Sequence, residues 1–449
     1  MRISRTDRSS YLCERGDEGC NGEPRQLLIV SLASKTVKLD TPRLLLFCFV
    51  LFFLTISPVR ALDTSKQISQ YGHRAWRIED GVFAGTPNVI AQTTDGYLWI
   101  GTQAGLMRFD GVRFVSWHPP EGKELPSSRI NSLLGGRDGS LWIGTRMGLA
   151  RWRNGNLTNY GDATGSIMAI LEDRAGTIWI ARGNFSDAKG PLCKVTDTGV
   201  RCFGSDDGLA LPYAVTLAND NFGNVWLAGG LMVSRWQTSS ADTYVPAGLN
   251  PAEIFNGVLA LAGTPDGSLW VGLVHAGKGG GLQQLAQGTW KPFVTPEFDG
   301  STLRVTALLL DRDSSLWIGT LNQGIYRIQG NKVDHFRGSD GLSGDAVRGL
   351  FQDREGNIWV STSGGIDNFH DLRVASFSTR QGLNADQVNS VLASGWHCVD
   401  WKLWFGCSPV GQDHFHSATE RFTRTGAHIV AGGPSRPALG RHRPGIVGL

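Results

Sequence analysis

Seven near-copies of one short phrase, a tryptophan that returns at almost constant intervals, and abundant glycine without helical periodicity predict an all-β fold. The expected architecture is a seven-bladed β-propeller of four-stranded antiparallel blades, with a fragment of an eighth repeat. The phrase first appears as TTDGYLWIGT at 93–102 and returns as RDGSLWIGT, RAGTIWIAR, NFGNVWLAG, PDGSLWVGL, DSSLWIGT and REGNIWVST. Its tryptophans are Trp99, Trp142, Trp179, Trp226, Trp270, Trp317 and Trp359, with Trp404 in a weaker eighth copy. Their spacings run from 37 to 47 residues.

A period in the forties fits either propeller blades or paired-helix solenoids. The residues between the tryptophans choose the propeller. Each copy begins with an apolar run, such as NVIAQT at 88–93 or VTALLLD at 305–311, then turns at an Asp-Gly type signal into the tryptophan strand. A small residue and a third run follow, GLMRF at 105–109, GLARW at 148–152 or GIYRI at 324–328. A second turn leads into a fourth run, as in DGVRFVSW at 110–117 or QGNKVDHF at 329–336. Four strands fit in about 43 residues. With 59 glycines in the chain, helical repeats would be badly interrupted.

A single four-stranded meander has two apolar faces and cannot cover both, so neighbouring blades must pack face to face. One indole per blade supplies a wedge of roughly 150–250 Å² for that contact. Two residues after the tryptophan comes a small residue: Gly101, Gly144, Ala181, Ala228, Gly272, Gly319, Ser361 and Gly406. Smallness there implies a close approach from the next blade. The stretch GHRAWRIEDG, ahead of the first copy, matches the linkers between blades and is expected to lend an outermost strand that locks the last blade to the first.

The bulk composition narrows the rest. A net charge of +3 with dispersed Lys and Arg gives no reason to expect a nucleic-acid partner. Arg43 precedes the apolar run Leu44–Leu54, and Val59-Arg60-Ala61 follows, which is the grammar of a secretory signal. The run is short for a span of about 20 residues. Residues 41–61 therefore read as a signal peptide or a retained anchor over 44–56, and residues 1–40 as unstructured or a mis-assigned start. Membrane contact is expected only through this segment. The propeller is assigned to 70–386, a degraded eighth repeat to 387–415, and an irregular tail with the composition of a frameshift to 416–449. Five of the ten histidines crowd after residue 396, in the degraded repeat and the tail, and no chemistry is assigned to them.

Of seven cysteines, only Cys193 and Cys202 lie in the regular body, flanking a turn in CKVTDTGVRC. As hairpin partners they would face each other, either as a disulfide in an oxidising compartment or as two thiols. No CxxC or Cys/His ligand spacing occurs, so neither metal nor cofactor is expected.

The repeat VxxLxxDxxGxLWIGTxxGLxRF resembles that of the two-component regulator propeller family. Residues 75–114, AWRIEDGVFAGTPNVIAQTTDGYLWIGTQAGLMRFDGVRF, are similar to the opening of their sensor domains. The resemblance spans residues 70 to about 415. It implies a periplasmic or otherwise exported sensor, in a family whose members carry two seven-bladed propellers, an Ig-like module, a membrane helix and a cytoplasmic histidine kinase or diguanylate cyclase. Some sense oligosaccharides released by polysaccharide breakdown. This chain holds one propeller's worth of repeats and the start of another. It has no phosphoacceptor-histidine helix, no ATP-binding Asn/Gly boxes and no GGDEF-like motif. The expectation is a truncated sensor module without catalytic activity of its own. Its partners would be a small molecule or oligosaccharide and, in the intact protein, a second propeller and a downstream kinase or cyclase.

Strand parity divides the loops. Links between the first and second strands of a blade (A–B), and between the third and fourth (C–D), share one side of the disc. The B–C and D–A loops share the other. The Asp-Gly turns leave little room for variation, whereas the B–C loops GNFSDAKGP (183–191), VHAGKGG (274–280) and LNQ (321–323) differ freely. Candidate ligand-binding residues are therefore Arg146, Arg182, Asn184, Asp187, His275, Lys278, Asn322 and Gln323. The alternatives are a lyase resembling the antibiotic-linearising propeller lyases, for which His275 is the one loop histidine available as a base, and a protein-interaction propeller. No Gx-Ser-xG elbow, HExxH or phosphate-loop context supports other chemistry.

Overall fold

The computed structural model describes residues 62–184, 189–196, 199–237, 240–246, 249 and 257–372, with the backbone of three short strands at 390–394, 397–401 and 407–409. Segments 1–40, 41–61 and 416–449, together with Trp404 and Gly406, lie outside the described residues. The secondary structure is strands with a few 3-10 turns. No helix among the described residues is long and apolar enough to cross a membrane.

Among the described residues, seven four-stranded antiparallel sheets form the ring. Their innermost A strands are Pro87–Gln92, Ile130–Gly135, Ser166–Glu172, Thr216–Asn219, Val258–Gly263, Val305–Leu310 and Val347–Gln352. Each A strand touches the next, and the seventh touches the first, so the ring is closed. The tryptophan strands (B) are Leu98–Thr102, Leu141–Thr145, Ile178–Asn184, Val225–Gly229, Leu269–Leu273, Leu316–Thr320 and Ile358–Thr362. The three strands at 390–409 make a separate three-stranded sheet.

Closure uses the N-terminal strand. Gly72–Arg77 pairs antiparallel with Gly365–His370 as the outermost strand of blade 7, with Arg74 opposite Asn368 and Ala75 opposite Asp367. A buried polar knot fixes this seam. Asp367, fully buried, lies 2.8 Å from His73 Nε2 and accepts the Ser343 N–H (3.0 Å) and the Ser343 hydroxyl (2.5 Å). Residues 62–71 continue the clasp onto blade 6. The Arg327 guanidinium bonds the Tyr71 hydroxyl and the Lys66 carbonyl, and lies 5.7 Å over the Trp317 ring. Burial pushes the Tyr71 phenol up to about 12, although Arg327 opposes it.

The buried apolar residues fall into seven clusters, one for each interface between blades. Each joins the tryptophan of one blade to strands A and B of the next. Trp99 packs on Ile130, Leu133 and Ile143 of blade 2. Trp317, with no exposed surface, packs on Val347, Ile358 and Val360 of blade 7, and Trp359 on Ile90, Leu98 and Ile100 of blade 1. Trp179 and Trp270 hold the same position but are only half-buried.

The small residue two places on has a definite task. A methyl group at Gly101 would stand 2.5 Å from Ile130 Cγ2, at Gly272 2.4 Å from Val305 Cγ1, and at Gly319 2.5 Å from Val347 Cγ1. The approaching group is thus the first β-branched side chain of the next A strand, not the neighbouring indole or its backbone. Contacts this short leave no space for a Cβ.

Two further repeat positions carry polar bonds. Six residues before the indole, Thr93, Asp173, Asp220, Asp311 and Asp353 accept its N–H at 2.7–2.9 Å. Five residues before it, a side chain reaches forward to the backbone of the next A–B turn. Arg137 bonds the Arg174 carbonyl, Arg174 that of Asn221, Asn221 that of Pro265, Arg312 that of Arg354, and Arg354 that of Thr94. This girdle is broken where Thr94 and Pro265 occupy the position, because neither side chain can donate across the gap.

Candidate functional site: the loop face and the axial opening

The two sides of the disc are built differently. On the A–B side the turns are tight and stitched by the girdle. On the other side, strand B ends in a threonine that pins a short B–C loop. Thr102, Thr145, Thr320 and Thr362 accept a loop N–H at 2.8–3.2 Å. The same hydroxyls donate to the carbonyl of the glycine that closes the loop, Gly105, Gly148, Gly324 and Gly365. Blade 5 has Leu273 at that position, and its loop instead folds back on the linker to blade 6, with Gly277 N–H donating to the Ser301 carbonyl at 2.8 Å.

The candidate residues separate on this frame. Arg146 is exposed as the first residue of the blade 2 loop, and its N–H donates to the Arg129 carbonyl at 3.0 Å. Lys278 and Asn322 are exposed, while His275 and Gln323 are half-buried. The Gln323 Oε1 is buried without a partner among the described residues. Asn184 ends strand B of blade 3, and Asp187 lies outside the described residues. The described candidates are dispersed around the disc, Arg146 on blade 2, His275 and Lys278 on blade 5, and Asn322 and Gln323 on blade 6.

Arg182 is not on a loop. Strand B of blade 3 runs on to Asn184, which places Arg182 where the other blades have the pinning threonine. Its buried guanidinium donates to the Thr164 carbonyl (2.9 Å) and to the carbonyl of Gly190 at the far end of the loop (3.1 Å). The longer loop needs a longer pin. Beside it, Cys193 and Cys202 face each other across strands C and D and are bonded, with an S–S distance of 2.02 Å.

The sequence reading missed the axial opening. In six of the seven A strands the pairing register slips near the loop-face end, leaving one extra residue: Asn88, Asn131, Met168, Leu259, Thr306 and Arg348. Such bulges re-aim a side chain. Here they turn it along the ring. Asn88 Nδ2 donates to the Ile130 carbonyl (3.2 Å), Asn131 Nδ2 to Ser166 Oγ (2.9 Å), and Thr306 Oγ1 to the Val347 carbonyl (2.8 Å). Leu259 and Arg348 remain exposed. Among the described residues no group of His, Cys, Asp and Glu could hold a metal ion.

A closed ring of seven meanders, four of them pinned by the repeat's threonine, defines the class as a repeat-built β-propeller. The two component regulator propeller family matches residues 124–147 and 341–364, which lie in the linkers and inner strands of blades 2 and 7, so the chain carries that family's repeats. Among solved structures, the chain is similar to the extracellular domain of the hybrid two component system BT3049 from B. thetaiotaomicron. The TM-score is 0.59 at 20% identity, over 77% of this chain and 48% of that one. It is also similar to the extracellular domain of the one component system BT4673 of the same organism, with a TM-score of 0.54 at 16% identity over 78% and 47%. Virginiamycin B lyase from Staphylococcus aureus shares the fold, with a TM-score of 0.53 at 16% identity over 68% of this chain and 100% of that one. The chain thus spans about half the length of the extracellular domains it matches. No curated protein matches it in sequence.

Proposed function

We propose that this propeller is the exported sensing portion of a two-component-type signalling protein and binds a small molecule or oligosaccharide on its loop face. The observation that carries the reading is the asymmetry of the disc. One side is tied shut by tight turns and the arginine girdle, while the other presents the divergent loops of blades 3 and 5 and the bulged mouth. A rigid scaffold with variation confined to one face is how propellers present recognition groups. The half-length likeness to extracellular domains of signalling systems supports an exported location, with signal output carried by another part of the protein. No catalysis is assigned to the chain. The lyase reading has only His275 and the shared fold behind it.

The test is differential scanning fluorimetry of the full chain against neutral and acidic oligosaccharides. A ligand that raises Tm with concentration, less so in Lys278→Ala or Asn322→Ala, is the expected result. Silence from every compound at millimolar concentration would overturn the reading. Recovery of a bound compound chemically altered would replace a sensor with an enzyme.

A further inference from the structure

We infer that the axial opening on the loop face is a site for a small anion with an apolar body, gripped by Arg348, Arg129 and Arg146. This deepens the loop-face reading and rests on it. The three arginines lie on an arc that runs from blade 7 across blade 1 to blade 2. Arg348 is the bulged residue of blade 7, and a methyl group on its neighbour Gly349 would stand 3.0 Å from the Asn88 carbonyl oxygen of blade 1. Asn88 in turn bonds the carbonyl of Ile130, the residue after Arg129. Arg146 donates its backbone N–H to Arg129. All three side chains are exposed, and none makes an ion pair among the described residues. Asp345, the closest carboxylate before Arg348 in the chain, is turned back to accept the Gly338 N–H at 2.7 Å.

This contrasts with the other side of the disc, where Arg137, Arg174, Arg312 and Arg354 are all spent on backbone carbonyls of the adjoining turn. Like charges on one arc of the ring without ion-pair partners create a field that draws an anion. The guanidinium fork binds carboxylate, sulfate or phosphate in two-point fashion. Across the ring from this arc the bulge position of blade 5 is apolar, Leu259, 38% exposed, and Met168 on blade 3 adds a half-buried apolar group beside the arc. The mouth is therefore basic from blade 7 to blade 2 and apolar at Leu259 across from them. A ligand that satisfies both carries an acidic group at one end and an apolar body at the other.

The experiment compares 2-naphthalenesulfonate with neutral 2-naphthol, titrated calorimetrically into the full chain, its Arg348→Gln and Arg129→Gln variants, and a Lys332→Gln control on the outer strand of blade 6. Circular dichroism melts verify folding. The sulfonate is expected to bind more tightly than the naphthol, to lose about tenfold or more in affinity in each arginine variant, and to weaken with added salt, while Lys332→Gln binds as the parent does. Leu259→Asn should weaken both compounds. Equal binding of the two compounds, absence of sulfonate binding, or indifference to the arginine variants would overturn the proposal. If neutral oligosaccharides still raise Tm in that event, the sensing reading stands and only the anionic mouth falls.

Discussion

The indole N–H of Trp317 donates to Asp311 Oδ2 at 2.8 Å, from a ring that has no exposed surface and is wedged against the next blade. One residue pair thus ties the A–B turn of blade 6 to the interface with blade 7. Asp311 also accepts the N–H groups of Asp313 and Ser315, so the turn cannot loosen without freeing the indole. Removal of the whole wedge by Trp317→Ala should cost about 3–5 kcal/mol, the range for large aromatic truncations in cores. Trp317→Phe keeps most of the volume but loses the bond, and should cost roughly half as much. Urea unfolding with unchanged m-values checks both.

The same position in blades 4 and 6 titrates in opposite directions. Burial works against ionisation of Asp220, but the Asn224 side chain, the Trp226 indole and the N–H groups of Asn224 and Phe222 outweigh it and hold the carboxyl below its ordinary value. In blade 6 burial dominates and raises Asp311, since Ser315 offers only its backbone N–H where Asn224 adds an amide. For Asp220 the folded state releases its proton more readily than the unfolded chain does. Its stabilisation is present above the unfolded value of about 4 and is lost as pH falls through the folded one. Asp311 contributes the reverse, a gain as pH falls toward about 4. Denaturation curves between pH 3 and 7 should show a flatter acid limb in Asp220→Asn, and a lower stability at pH 4 relative to pH 7 in Asp311→Asn.

Gly319 sits where a methyl group would meet Val347 at 2.5 Å. Gly319→Ala should cost about 1–3 kcal/mol by overpacking, and Val347→Ala in the same chain should recover part of that loss. A double-mutant cycle with no coupling would show that the glycine is there for another reason.

The girdle makes an unusual prediction, a gain. Thr94 interrupts it between blades 1 and 2. Thr94→Arg should extend the bond to the Arg137 carbonyl and raise stability by a few tenths of a kcal/mol, up to about 1, while Arg354→Ala, which removes the bond to Thr94, lowers it by a similar amount. Thermal melts of the two variants decide it.

How far the sequence reveals this molecule depends on whether a feature belongs to one strand or two. The tryptophan wedge, the turn before it and the closing strand at 72–77 each leave a local pattern, so blade number and closure could be read from the residues alone. Arg182 misleads because ARGNFSD looks like the start of a loop. Its offset from Trp179 matches that of Thr102 from Trp99, but only the strand pairing and the bonds of Arg182 show that it does the same pinning at longer reach. The bulges are invisible for the same reason. Register is a property of two strands together, and nothing in VRGLFQD marks Arg348 as the residue that slips out. The girdle could have been found, since its members stand at a constant offset from each tryptophan.

Closure of the ring by its own N-terminal strand is the claim on which the interfaces and the mouth depend. Its most direct measurement is oxidative cross-linking of Arg74→Cys with Asn368→Cys, which face each other across the seam although 294 residues apart in the chain. A closed seven-bladed ring predicts a rapid intramolecular disulfide, with faster non-reducing gel mobility and a raised Tm that falls back on reduction. Thiols that stay free under oxidation, in a chain that melts as the parent does, would contradict it.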